Sequence, residues 1–122
     1  MQIKESAENY LETILILSKK NGSVRSIDVA NEMNFTKASI SVAMKRLREE
    51  EYVVVEKDGS ILLTEKGMDI AVRVYERHQL IAQILISLGV SEKTAYEDSC
   101  KMEHDLSEES FEKIKAYYEK HK

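Results

Sequence analysis

The sequence predicts a mainly α-helical protein interrupted by one short β-hairpin. Three observations carry this. The 122 residues include no proline and only four glycines, too little punctuation for the many tight turns of a β fold. Apolar residues recur at helical spacing through most of the chain. That period breaks once, at Tyr52-Val53-Val54-Val55, a β-branched and aromatic run of strand composition. The length suits one domain or two very small ones. A charged fraction of 33% beside a hydrophobic fraction of 43% suits a folded chain rather than a disordered one. One cysteine excludes an internal disulfide. No apolar run reaches the ~18 residues of a membrane span, and the N-terminus lacks a signal-peptide pattern. The expected setting is therefore a reducing cytoplasm, with no membrane partner.

Residues 6–20 form the first predicted helix, with Ala7, Leu11, Ile14, Leu15 and Ser18 on one face, and Asn21-Gly22 ends it. Ser26 is the expected N-cap of a short second helix, with Asp28 in its first turn and Ile27, Ala30 and Met33 facing inward. Thr36 is the expected cap of a third, which runs to about Glu50 on Ile40, Ala43, Met44 and Leu47. Tyr52–Val55 and Ile61-Leu62-Leu63 pair across Asp58-Gly59, a strong hairpin signal. Thr64 caps a long helix over roughly Glu65–Leu88, closed by Gly89. Ser91 opens a helix to about Asp105. Ser107 caps the last one, which carries Phe111, Ile114 and Tyr118.

Helix, tight turn, longer helix and hairpin, in that order over residues 26–63, is winged helix-turn-helix architecture. The expected organisation is a winged helix-turn-helix domain with a two-stranded wing over residues 1–72, then an all-helical domain over residues 73–122. A net charge of −4 argues against a nucleic-acid partner, but the local charge reverses that. Between Thr36 and Arg48 lie Lys37, Lys45, Arg46 and Arg48 and no acidic residue. Cations suit phosphates, and small polar groups suit base edges. The candidate DNA-contacting residues are Thr36, Lys37, Ala38, Ser39, Ser41, Val42 and Lys45 on the third helix, with Lys57 on the wing. The plainer reading is a solvated basic face. A module this small reads one half-site, so a two-fold dimer is expected. Leu80, Ile81, Ile84, Leu85 and Leu88 are candidates for its interface, or else for packing within one chain.

A second cluster carries metal-ligand chemistry. On a helix Cys100, Glu103 and His104 project from one face and offer sulfur, oxygen and nitrogen donors for a divalent transition metal. Asn9 and Glu12 form an i, i+3 pair off the apolar stripe of the first helix, and His78 lies on the long helix. A site drawing on Asn9, Glu12, His78, Cys100, Glu103 and His104 would tie the two domains together. Each residue also has a plainer reading: a buried small thiol, a satisfied histidine, a solvated carboxylate.

Glu8-Asn9-Tyr10-Leu11-Glu12-Thr13-Ile14, Leu62-Leu63-Thr64-Glu65-Lys66-Gly67, Arg77-His78-Gln79-Leu80 and Cys100-Lys101-Met102-Glu103-His104-Asp105-Leu106-Ser107 together resemble the diphtheria toxin repressor and manganese transport regulator family of metal-dependent transcriptional repressors. The resemblance covers essentially the whole chain. It implies a DNA-binding winged helix, a helical dimerisation and metal-binding domain, a divalent corepressor and double-stranded operator DNA. The short form, without a C-terminal SH3-like domain, is the expected type. The resemblance also implies that His78, Glu103 and His104 match ligands used in the family, and that Glu12 matches a ligand of the manganese branch. Cys100 matches the iron branch, where the manganese branch has glutamate. Asn9 matches neither. Ala82 and Tyr96 replace two ancillary-site ligands of the iron branch. A thiolate softens the site towards Fe²⁺, Co²⁺ or Zn²⁺ relative to Mn²⁺; Fe²⁺ or Mn²⁺ is the expected corepressor, with metal-uptake genes as the expected targets. The alternative is a winged-helix regulator that senses a small organic ligand or an oxidant through Cys100. An enzyme is not expected, because no nucleophile–base pair is visible.

Overall fold

A computed structural model of the chain describes residues 5–121; the first residues of the segment read for a signal peptide lie outside this range. The element order is α1 (Glu5–Asn21), α2 (Ser26–Met33), α3 (Lys37–Glu49), β1 (Val53–Val55), β2 (Ile61–Leu63), α4 (Glu65–Ser87), α5 (Glu92–Asp105) and α6 (Glu108–His121). The chain forms two compact units that divide between Arg73 and Val74, inside α4.

The first unit is a winged helix-turn-helix. Leu11, Ile14, Leu15 and Leu17 of α1, Val29 and Ala30 of α2, and Ile40, Met44 and Leu47 of α3 are buried together with Val24, Tyr52, Val53 and Ile61. α2 packs against both α1 and α3. The N-cap of α2 is Arg25 rather than Ser26, which is the first helical residue. The Asp28 carboxylate accepts the Arg25 backbone N–H at 2.9 Å, so the helix start is closed from its third residue back. Ile27 is exposed, and Val29 is buried instead. The two residues differ by about 200° around the helix axis, so only one of them can face the core beside Ala30.

Two non-glycine residues stand in the left-handed region, Asn34 (φ 61°) and Glu51 (φ 65°). Both end helices. Phe35 N–H reaches the Ala30 carbonyl at 3.0 Å across Asn34. Tyr52 N–H reaches the Leu47 carbonyl at 2.9 Å across Glu51, and Glu51 N–H bonds Arg48. These bonds satisfy the last free carbonyls of α2 and α3 and turn the chain sharply, first into α3 and then into the wing. β1 and β2 are antiparallel, with Val53 opposite Leu63, Val54 opposite Leu62 and Val55 opposite Ile61. The loop before α2 extends this ladder, through an Arg25–Ser60 bridge and an Ile61 N–H to Val24 carbonyl bond of 2.7 Å.

The second unit comprises Val74–Ser87 of α4 with α5 and α6. Val74, Ile81, Ala82, Ala95, Ser99, Glu103 and Phe111 are buried in it. Gly89 (φ 103°) ends α4, with Val90 N–H on the Leu85 carbonyl. Ser91 occupies the N-cap of α5 but makes no side-chain cap bond. The Ser107 hydroxyl does cap α6, accepting from Ser110 N–H at 3.1 Å.

Candidate metal centre and nucleic-acid face

α5 buries Ala95, Ser99 and Glu103, one residue per turn along a single edge. Cys100 flanks that edge nearly one turn before Glu103, and His104 directly follows Glu103. The sulfur of Cys100, a carboxylate oxygen of Glu103 and a ring nitrogen of His104 lie within 4.8 Å of one another. His104 Nε2 is 3.4 Å from Glu103 Oε1, and the two side chains are only 3% and 1% exposed. His78, on the α4 part of the same unit, brings a ring nitrogen within 4.8 Å of a Glu103 oxygen. Sulfur, nitrogen and oxygen donors thus converge inside one unit. A transition metal holds such ligands at about 2.0–2.3 Å, and this grouping has the size that one ion bridges. The donor set fits a borderline divalent cation rather than a hard one such as Mg²⁺. Asn9 and Glu12 lie on α1 of the first unit, Asn9 half-buried and Glu12 buried.

Neighbours orient these donors. His78 Nε2 is 3.1 Å from the Tyr96 carbonyl oxygen. A carbonyl only accepts, so Nε2 carries the hydrogen and Nδ1 is the acceptor nitrogen of the ring. The Ser99 hydroxyl donates to the same carbonyl at 3.0 Å, and the Tyr96 ring stands edge-on to the imidazole, with centroids 5.8 Å apart. The Tyr96 hydroxyl donates to Gln79 Oε1 at 3.3 Å, and Ala82 is fully buried. Arg77 adds a clamp that the sequence reading missed. It donates to the Leu106 carbonyl at 2.9 Å, pairs with Glu108 at 3.7 Å and lies 4.8 Å over the Phe111 ring. These contacts tie α4, one residue before His78, to the end of α5, two residues past His104. Its partners are 29 or more residues away in sequence, so no local pattern announces them.

In the first unit Lys37, Ala38, Ser39, Ser41, Val42 and Lys45 of α3 are all exposed, and so is Lys57 on the wing. Ile40, Met44 and Leu47 anchor the opposite side of the helix. Thr36 is exposed, but its hydroxyl is engaged. It accepts from Ser39 N–H at 3.1 Å and donates to Ser39 Oγ at 3.0 Å.

Comparison with known proteins places both halves of the chain in one family. Residues 2–61 match the N-terminal DNA-binding domain of the iron-dependent repressors, and residues 64–122 match the metal-binding and dimerisation domain of the same group. The chain belongs to the iron-dependent repressor family, which includes the diphtheria toxin and manganese transport repressors. This repressor-family chain is 36% identical over 122 residues to an uncharacterised helix-turn-helix transcriptional regulator of Methanocaldococcus jannaschii, covering 98% of each. It is 37% identical over 109 residues to the regulator MntR of Geobacillus kaustophilus, covering 89% of this chain and 77% of that protein. Its fold matches the solved manganese regulator SloR with a TM-score of 0.81 and 27% identity, over 98% of this chain and 55% of that longer one. It is a metal-dependent transcriptional repressor of this family. Its relatives are regulators rather than enzymes, and family members bind DNA and dimerise. Among the described residues no helix is long and apolar enough to cross a membrane.

Proposed function

We propose that this repressor takes Fe²⁺ or Mn²⁺ as corepressor and controls genes for metal-ion uptake. The observation that carries the reading is the convergence of Cys100, Glu103 and His104 donors, with a His78 ring nitrogen beside a Glu103 oxygen, in the segment matched as metal-binding. Those four residues hold the ion, the family resemblance adds Glu12 of α1, and Asn9 joins by its i, i+3 spacing to Glu12. When bound, the cation supplies the positive charge that stabilises a thiolate and buried carboxylates against their desolvation. The chain does the rest. The Tyr96 carbonyl holds the His78 tautomer, Arg77 fixes the end of α5, and α3 presents Thr36, Lys37, Ala38, Ser39, Ser41, Val42 and Lys45 to operator DNA, with Lys57 reaching from the wing. Residues 1–72 serve as the reading domain, and residues 73–122 serve metal binding and dimerisation.

The second unit also supports the dimer. Leu88 is 75% and Tyr117 68% exposed, and they line an apolar groove with Ile84, Ile114 and Tyr118. Ile81 is buried within the protomer, so it is core rather than interface. The groove residues form the proposed two-fold contact.

Anaerobic calorimetry with Fe²⁺, Mn²⁺ and Zn²⁺, read together with binding to a duplex selected from a randomised pool, tests the proposal. Glu103→Ala should weaken metal binding at least tenfold, by analogy with other ligand-shell losses, and abolish the metal response of DNA binding while the circular dichroism stays native. An undiminished metal response in that variant rejects the site.

A further inference from the structure

The outward face of α3 carries one residue that electrostatic binding does not explain. Ile40, Met44 and Leu47 hold the helix to the core, while Val42 is 58% exposed. Its neighbours one turn away are Ala38, Ser39, Lys45 and Arg46, all exposed, so no large apolar side chain lies beside Val42 along the helix. Nor does the helix itself favour it, because a β-branched side chain loses rotamer freedom there. Val42 has no donor for a phosphate and no acceptor for a base amine. In the major groove, the apolar feature on a base edge is the C5-methyl of thymine.

We infer that Val42 is a specificity-determining residue that reads a thymine methyl in each operator half-site. The inference rests on the proposed reading of α3 as the operator-contacting helix. Because χ1 of a helical valine is almost confined to one rotamer, its two methyls are already fixed in place before DNA arrives. Ala38, one turn earlier, extends the apolar strip toward the N-terminal turns that enter the groove first. Ser41 and Lys45 flank the strip with a hydroxyl and a cation.

The test begins with duplexes enriched from a randomised pool by the full chain with Mn²⁺. Each thymine of the enriched site is then replaced by deoxyuridine, which removes only the methyl and preserves pairing. Affinity is read by fluorescence anisotropy at fixed salt. One thymine per half-site should cost about fourfold when demethylated, and about fifteenfold with both half-sites changed, the scale of one buried methyl each. Val42→Ser, with an unchanged thermal midpoint, should bind thymine and uracil duplexes equally. Val42→Ile should retain the preference. If the wild type is indifferent to every thymine-to-uracil change, or if Val42→Ser still discriminates, the inference is overturned while the repressor reading stands. If no duplex is enriched with metal present, the operator-reading role of α3 falls, and this inference falls with it.

Discussion

Asp58 sits at the tip of the wing, fully exposed, yet its carboxyl titrates below the ordinary aspartate value of 3.8. The chief cause is the Ser60 backbone N–H, which donates to Oδ1 at 2.9 Å. The Ser60 hydroxyl and the charge of Arg25 add to it. The bond closes an Asx turn around Gly59 (φ 90°), and Ser60 in turn pairs with Arg25. A folded value below the unfolded one means that the turn is favoured above the unfolded pKa, and that this contribution is lost as pH falls through the folded value. The expected result is an Asp58 carboxyl midpoint below 3.8 by NMR, with the Ser60 amide shift following the same curve. An Asp58 midpoint at or above 3.8 would refute this account of the tip. At the opposite extreme of burial, Glu103 is 3% exposed, and its charge is tolerable only beside cations or donors.

At the scale of elements, the critical packing in the first unit is the start of α4 against the entry to β1. Thr64 donates its hydroxyl to the Glu51 carbonyl at 2.7 Å and accepts from Gly67 N–H at 3.1 Å, so one side chain caps α4 and pins it to the end of α3. Gly67 then passes so close to Tyr52 that a Cβ would overlap the Tyr52 carbonyl oxygen, the same oxygen that accepts from Thr64 N–H. Backbone cannot yield as a flexible side chain does, so Gly67→Ala should destabilise the fold by about 1–3 kcal/mol, read as a lowered denaturation midpoint. An unchanged midpoint would mean that this packing is loose. Gly67 was legible in the sequence only as part of a family motif, because a packing glycine with ordinary helical backbone leaves no periodic trace. Helix order, the Asp58-Gly59 turn and the inner stripe Ile40, Met44 and Leu47 were legible, since period and turn chemistry are local. Ile27 was misassigned because an eight-residue helix offers too few turns to fix its phase. The Cys100–Glu103–His104 grouping was legible because helical spacing alone brings it together. The Arg77 clamp was not, because its partners come from another helix.

For the whole molecule, net charge is a poor guide to partner. The total of −4 hides a net −1 over residues 1–75 and a net −3 over residues 76–122, with the acid-free segment on α3 inside the first. DNA affinity should therefore follow the local cations and fall linearly in log–log form with salt. What the total charge cannot set is metal dependence, which demands a coupling free energy between the proposed metal donors and the proposed reading helix. Such coupling is typically ~1–3 kcal/mol, or roughly 5–150-fold in affinity. It is also reciprocal. The factor by which Mn²⁺ tightens operator binding must equal the factor by which operator tightens Mn²⁺ binding. Titrating Mn²⁺ into free and operator-saturated protein, and operator into apo and metal-saturated protein, measures both. The expected outcome is one factor within that range, collapsing to unity in Glu103→Ala, where only salt-dependent, non-specific affinity remains. Equal operator affinity with and without metal in the wild type would show that metal and DNA bind independently, and would remove the corepressor role from the site.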